Sequence, residues 1–355
     1  MAKQQQIWLR AETKPLEQRT ALTPEHAKAL SELGVEITIE SSEQSIFSDK
    51  DYADLGLNVV SQGSWQEAPK DAYVLGLKEL EEKQFPLSHK HIYFAHAYKE
   101  QQGWQSILNR FTKGGGTLFD LEYLTDENGR RIAAFGYWAG YAGAALAVQT
   151  WCNQKLGQTH QPISSYANKE LLLDKLQTVL AQIEEKPTIM VIGAKGRSGS
   201  GACQLAKDLG LETTEWDMEE TKVGGPFKEI NHHHIFVNCV LVNKNLPPFI
   251  NKASLSDEQR KLSVIADVSC DPYGSYNPLP VYNECTTFDA PCITVDVAGP
   301  KLELIAIDHL PSLLPKESSE DYGEQLFPHL ASLAKVPTEV WDNALQHFKL
   351  HTSKL

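Results

Sequence analysis

The sequence predicts an α/β protein of two Rossmann-like, doubly wound parallel-sheet domains with a cleft between them, and three observations carry that reading. Short apolar runs alternate with helical patterns through about the first 130 residues, the βαβ rhythm of a parallel sheet. A second strand, glycine-rich turn and helix begin at PTIMVIGAKGRSGSGACQLAKDLG, and open sheets of this kind gather ligands at the carboxyl ends of their strands. The chain has 355 residues, room for about two domains at the usual ~100–200 residues each.

Taken in order, IWLRAE, VEITIE, NVVS, DAYVLGLKE and HIYFAHAY read as strands of the first unit. Thr23 caps and Pro24 opens the helix PEHAKALSELG, which stops at Gly34. Residues 132–154, IAAFGYWAGYAGAALAVQTWCNQ, carry no charge and approach the ~20 residues of a membrane span, with Gly136 and Gly140 spaced as GxxxG. Gln149, Asn153 and Gln154 interrupt the apolar end, so the segment reads instead as a buried helix whose small residues let another backbone approach. A polar connector around 157–168 and an amphipathic helix over 169–185 lead to the second unit, with strands TIMVI, LETTEW, HIFVNCVLV, KLSVIADVS and PCITVDV.

Apolar residues at 41% and charged residues at 22% match an ordinary globular protein and exclude global disorder. The balance of 33 Lys+Arg against 46 Asp+Glu gives −13 with no long basic run, so neither nucleic acid nor a membrane is an expected partner. Six scattered cysteines without a CxxC pair, and an N-terminus without an apolar targeting segment, point to the cytoplasm. No metal site is expected: His232, His233 and His234 are consecutive, and consecutive side chains cannot all face one ion.

Three constellations carry chemistry. Gly193, Gly196, Gly199 and Gly201 follow the strand TIMVI and open a helix, the context in which a backbone approaches a pyrophosphate at a helix N-terminus. Asp217 ends the next strand, where a carboxylate accepts from the adenosine ribose hydroxyls and repels a 2′-phosphate, so the expected cofactor is NAD rather than NADP. Lys78 and His96 each end an apolar run, YVLGLK and HIYFAH, at the edge where ligands sit. Histidine titrates near neutrality and a partly desolvated lysine can be drawn down towards it, so the pair suits proton transfer. Arg19 and Arg131 supply the fixed guanidinium groups that an acidic protein needs to hold an anionic ligand, although either reads equally as a surface residue.

LRAETKPLEQRTALTP, GLKE, FAHAYK, GTLFDLEYLTDENGRRIAAFG, GAKGRSGSGA, GGPF, DVSCDP, NPLPVY and AGPKLELIAIDHLPSLLP together resemble the NAD-dependent, L-lysine-forming saccharopine dehydrogenases over essentially the whole chain. RTALTP with a following lysine and histidine also occurs in the broader alanine dehydrogenase and transhydrogenase group, whereas ETKPLE, DLEYL and DHLPSLLP point to the saccharopine branch. The resemblance implies a substrate domain of residues 1–134 plus 317–355 and an NAD domain of 135–316. It implies oxidative cleavage of saccharopine to L-lysine and 2-oxoglutarate; the chain is expected to act as a monomer or small homo-oligomer, the sequence not fixing which. Lys78 would accept the amine proton, and His96 would serve hydration and collapse of the imine. Arg19, Lys78, Arg131, Phe135, Ser269, Cys270 and Asp271 would face the substrate. Gln101, Arg131, Gly196, Arg197, Asp217, Thr221, Leu241, Val268, Ile307, Asp308, His309 and Leu310 would meet NAD. Two positions depart from the family pattern: Leu241 stands where members often carry an aromatic residue, and Ser198 where some carry cysteine. A related opine-type or amino-acid dehydrogenase could use the same Lys/His pair, and an NAD-sensing binding protein would need the glycine loop and Asp217 but no proton relay.

Overall fold

A computed structural model describes residues 5–81, 85–99, 101–242, 244–333 and 338–355. The chain divides into two compact units, residues 1–134 with 315–355, and residues 135–314.

The first unit carries β1 (Gln6–Leu9), α1 (Pro24–Glu32), β2 (Glu36–Glu40), α2 (Asp49–Ala53), β3 (Asn58–Val60), β4 (Tyr73–Leu75), β5 (Lys90–Tyr93), α3 (Trp104–Gly114) and β6 (Thr117–Asp120). Its six strands pair in parallel in the order β3-β2-β1-β4-β5-β6. The order reverses between β1 and β4, which opens a ligand crevice at their carboxyl ends. Helix α1 starts as its sequence dictates: Thr23 accepts the His26 amide at 3.3 Å and Pro24 fills the first turn, where its missing N–H costs nothing.

The second unit carries α4 (Gly136–Lys155), α5 (Lys169–Leu180), β7 (Ile189–Ile192), α6 (Arg197–Asp208), β8 (Thr213–Trp216), α7 (Met218–Thr221), β9 (Ile235–Asn238), α8 (Lys252–Leu255), β10 (Val264–Asp267), β11 (Ile293–Thr294) and β12 (Glu303–Ile305). Its order is β11-β12-β10-β9-β7-β8, with a reversal between β7 and β9. Strands β7, β9 and β10 are buried at every position, as an apolar run covered on both faces requires. The expected all-parallel sheet needs one correction. PCITVDV forms only the two-residue β11, which runs antiparallel to β12 at the sheet edge.

The chain then returns to the first unit with α9 (Pro315–Leu333) and α10 (Glu339–Thr352). Ser319 accepts the Thr20 amide at 3.0 Å, Gln325 exchanges two 3.2 Å bonds with the Ala134 backbone, and Trp341 meets Phe119 edge-on at 5.7 Å. These contacts make the C-terminal segment part of the first unit's core.

The uncharged segment is α4, and no helix among the described residues is long and apolar enough to cross a membrane. Its glycines have a packing reason: a Cβ on Gly140 would collide with the Ser198 carbonyl, and one on Gly201 with the Tyr137 carbonyl, so α4 and α6 touch backbone to backbone. Gly140→Ala is expected to destabilise the protein by about 1–3 kcal/mol, the usual cost of overpacking, read by denaturant unfolding. Unchanged stability would contradict this contact.

Candidate active site

The first unit's crevice is organised by a buried carboxylate. Glu12 lies three residues beyond β1 and accepts the Leu77 and Lys78 amides at 2.6 and 2.9 Å, joining the exit of β1 to that of β4. Arg10 faces Glu12 at 3.5 Å and donates to the Lys78 carbonyl, with its guanidinium 5.6 Å from the Tyr93 ring centre. Burial pushes the Glu12 carboxyl up, and Arg10 and the two amides oppose that rise. Lys78 and His96, expected at strand ends, lie beyond them. Both stand three residues further on, because β4 stops at Leu75 and β5 at Tyr93.

Lys78 is itself partly buried, and its ammonium is drawn below the usual lysine range first by desolvation and then by Arg19; Glu17 opposes the shift. Arg19 is not a surface residue: it is buried at 3% exposure and pairs with Glu17 in a fork, Nε to Oε1 at 2.8 Å and Nη2 to Oε2 at 2.7 Å. Behind desolvation, the two charges of that pair act on Lys78 in opposite senses, Arg19 lowering its basicity and Glu17 raising it.

His96 sits in left-handed backbone, φ 52°, a conformation that side-chain-bearing residues rarely hold without support. The support is Asp120, at the end of β6, which accepts the Ala95 and Ala97 amides at 3.3 and 3.4 Å on either side of it. Burial pushes the Asp120 carboxyl up to about 6. Around the imidazole, Glu79 lies 3.7 Å from Nε2 and Glu122 lies 3.7 Å from Nδ1. Glu122 also holds Lys99 at 3.0 Å and Arg131 at 3.3 Å; burial would raise its carboxyl, but Arg131 and Lys99 outweigh that and hold it low. Glu79 acts on both proposed proton carriers, as it also opposes the fall of Lys78.

In the second unit the glycine loop runs from β7 into α6 at the other reversal point. Gly193 has φ 88°, and a Cβ on Gly199 would strike the Gly193 carbonyl, so both positions require glycine. Asp217 does more than end β8. Its carboxylate accepts the Lys195 amide at 2.8 Å and the Met218 amide at 2.8 Å, tying the loop to the start of α7 while leaving lone pairs for a ribose. Thr221 donates to the Asp217 carbonyl at 2.8 Å, and Gly196 caps α6 immediately before Arg197.

At the ends of β9 and β10, Asp267 accepts from Asn238 at 2.9 Å, from the Ser269 hydroxyl at 2.6 Å and from the Tyr282 hydroxyl at 2.6 Å. This network fixes the turn that carries Val268, Ser269, Cys270 and Asp271. Leu241 is exposed at 64%, His309 pairs with Asp308 at 2.6 Å, and Gln101 is exposed just ahead of α3. The side chains of Ile307 and Leu310 are buried in the core, so any contact they make with a cofactor passes through their backbone. Phe135 stands at the N-cap of α4.

The three histidines diverge, as consecutive residues must: His233 bonds Thr214 at 2.8 Å while His234 faces Glu185 at 3.1 Å. His160, Cys292 and Glu303 do approach within 4.8 Å of one another. Glu303 is already engaged by Lys301 and Gln154, both at 2.7 Å, so the group reads as a filled ion-pair network.

Because the folded chain resists a proton on Lys78 that the unfolded chain accepts, Lys78→Met is expected to stabilise the protein. The gain is full below the folded pKa and fades as pH rises towards the unfolded value of about 10.4. Denaturant titrations near neutrality and near the unfolded pKa read it, and an equal gain at both would contradict the placement.

Residues 8–142 match the alanine dehydrogenase/PNT N-terminal domain family. The fold is similar to a solved L-alanine dehydrogenase, with TM-score 0.66 at 18% identity over 96% of this chain and 94% of that one. The chain is 52% identical to the NAD(+)-dependent, L-lysine-forming saccharopine dehydrogenase of Emericella nidulans and 50% identical to that of Yarrowia lipolytica, each over 98% of both chains. It is also 24% identical to the mitochondrial alpha-aminoadipic semialdehyde synthase of Rattus norvegicus, across 89% of this chain and 42% of that protein. With about half its residues shared over nearly its whole length, the chain belongs to the NAD(+)-dependent, L-lysine-forming saccharopine dehydrogenase family.

Proposed function

We propose that this protein cleaves L-saccharopine oxidatively to L-lysine and 2-oxoglutarate, reversibly and with NAD, as part of lysine biosynthesis. The observation that carries the reading from family to chemistry is Lys78, a desolvated lysine that feels the charges of the Arg19–Glu17 pair, in the same unit as a histidine held between carboxylates. In this reading the substrate domain expected at 1–134 with 317–355 and the NAD domain expected at 135–316 are the two compact units, whose boundary falls two residues earlier, between 314 and 315. Gly193 to Gly201 and Asp217 fit the dinucleotide, since the loop admits no added Cβ at Gly199 and the carboxylate stands at the end of β8. NAD, when bound, supplies the hydride acceptor.

Lys78 takes the proton of the substrate's secondary amine, which frees the nitrogen lone pair to assist hydride departure from the adjacent carbon. His96 then moves protons as water adds to the imine and as the carbinolamine separates into amine and ketone. Arg131 and Arg19 hold substrate carboxylates, with Phe135, Ser269, Cys270 and Asp271 lining the substrate. Gln101, Arg131, Gly196, Arg197, Thr221, Leu241, Val268 and the run of residues 307–310 contact NAD. In this reading the protein works in the cytoplasm, which six scattered cysteines without a CxxC pair support, as a monomer or small homo-oligomer.

NADH oxidation followed by absorbance is expected to require L-lysine and 2-oxoglutarate together. Oxidation with alanine, ornithine or ammonia instead would overturn the substrate assignment. Lys78→Met and His96→Gln should each lower kcat by about 10²–10⁴-fold, the usual worth of a positioned acid or base; undiminished turnover would remove those roles. Asp217→Ser is expected to narrow the NADH over NADPH preference by roughly tenfold or more, because it removes a like charge facing the 2′-phosphate. A preference left intact would show that Asp217 does not read the ribose.

A further inference from the structure

We propose that Cys270 and Cys285 form an oxidisable dithiol that closes to an intrachain disulfide when the protein meets a hydroperoxide. The two sulfurs already lie 3.4 Å apart, with the Cys270 thiol donating to Cys285. A disulfide needs about 2.05 Å, a closure within the reach of two side-chain rotations.

The approach is imposed by the fold on both sides. Cys270 follows Ser269, whose amide and hydroxyl are bound to Asp267 at 3.1 and 2.6 Å, at the end of β10. Cys285 precedes Thr286, whose amide donates to the Ala306 carbonyl at 2.7 Å and whose hydroxyl accepts the Ala306 amide at 2.9 Å, next to β12. Tyr282 ties the intervening segment back to Asp267 at 2.6 Å. Strands β10 and β12 are direct neighbours, so the two sulfurs hang from adjacent rails. Cys270 sits in left-handed backbone, φ 46°, which turns its side chain out of the strand direction. Residues 271–284 form no helix or strand and can absorb the small closing movement.

Accessibility orders the steps. Cys285 is exposed, whereas burial pushes the Cys270 thiol up and keeps it protonated. The hydroperoxide O–O bond breaks as Cys285 sulfur takes one oxygen, giving a sulfenic acid and releasing water or an alcohol. Cys270 sulfur then attacks the sulfenic sulfur, its proton leaves with the hydroxyl as a second water, and the S–S bond forms. Two thiols lose two electrons and two protons, and the peroxide takes up both.

Cys270 lies between Ser269 and Asp271, so closure would rearrange the turn assigned above to substrate, and turnover should fall roughly tenfold until a dithiol reductant restores it. That consequence rests on the proposed function, while the disulfide itself does not. The test treats the full chain with hydrogen peroxide, alkylates remaining thiols and maps unreduced peptides by mass spectrometry. The expected result is a linked Cys270–Cys285 peptide, an intact chain lighter by two hydrogen atoms, reversal by dithiothreitol, and no such peptide in Cys285→Ser, which keeps wild-type turnover before and after peroxide. A linkage between Cys203 and Cys239 instead, or over-oxidation of Cys285 without a partner, would overturn the proposal. A mapped disulfide with unchanged turnover would keep the dithiol and remove the claim on the substrate turn.

Discussion

The first unit's chemistry depends on one buried carboxylate. Glu12 closes the gap between two strand exits by accepting the Leu77 and Lys78 amides, and Arg10 balances its charge from the same segment. Removing one partner of such a buried group typically costs 3–5 kcal/mol, because the other is left desolvated and alone. The arrangement therefore fixes where the chain leaves β4, and Lys78 inherits its position from that bond. Arg19 and Glu17, a few residues later on the same segment, then supply the charges that tune it. One stretch after β1 thus both places the lysine and adds opposing charges to the desolvation that lowers its basicity.

A parallel economy governs His96 and the second unit. Asp120 holds the amides around a backbone conformation that an L-residue resists, and so aims the imidazole between Glu79 and Glu122. Asp217 binds the amide of the glycine loop to the start of α7, so the group expected to read the ribose also fixes the loop expected to cradle the phosphates. In each case a carboxylate accepts hydrogen bonds from backbone amides, a charge-assisted kind stronger than neutral ones.

Much of this was legible in the sequence. The alternating runs gave the α/β class, the glycines after TIMVI gave the loop, and the family motifs brought forward Lys78, His96 and both arginines. The carboxylates were not legible: Glu12, Glu17, Glu79, Asp120 and Glu122 are common residue types with no periodicity, and they matter only because distant backbone reaches them. The burial of Arg19 was hidden for the same reason, although its partner lies two positions before it. Strand ends were overrun because YVLGLK and HIYFAH stay apolar past the point where side-chain bonds take over from the ladder. The direction of the edge strand β11 is not legible, since two residues carry no directional signal. The burial of the Ile307 and Leu310 side chains is a further feature that only the fold displays.

The most direct test of this account is kcat for Glu12→Gln at saturating substrates, with NADH affinity measured by fluorescence on the same protein. Glutamine keeps the shape but presents an NH2 where one amide must be accepted, so the turn carrying Lys78 loosens while the second unit, proposed to bind the dinucleotide, is untouched. With Lys78 in its proposed role, kcat is expected to fall roughly tenfold or more, as small misplacements of a reacting group commonly produce, with NADH affinity unchanged. Full turnover in that variant would show that Lys78 holds its place without Glu12 and would contradict the account at its root.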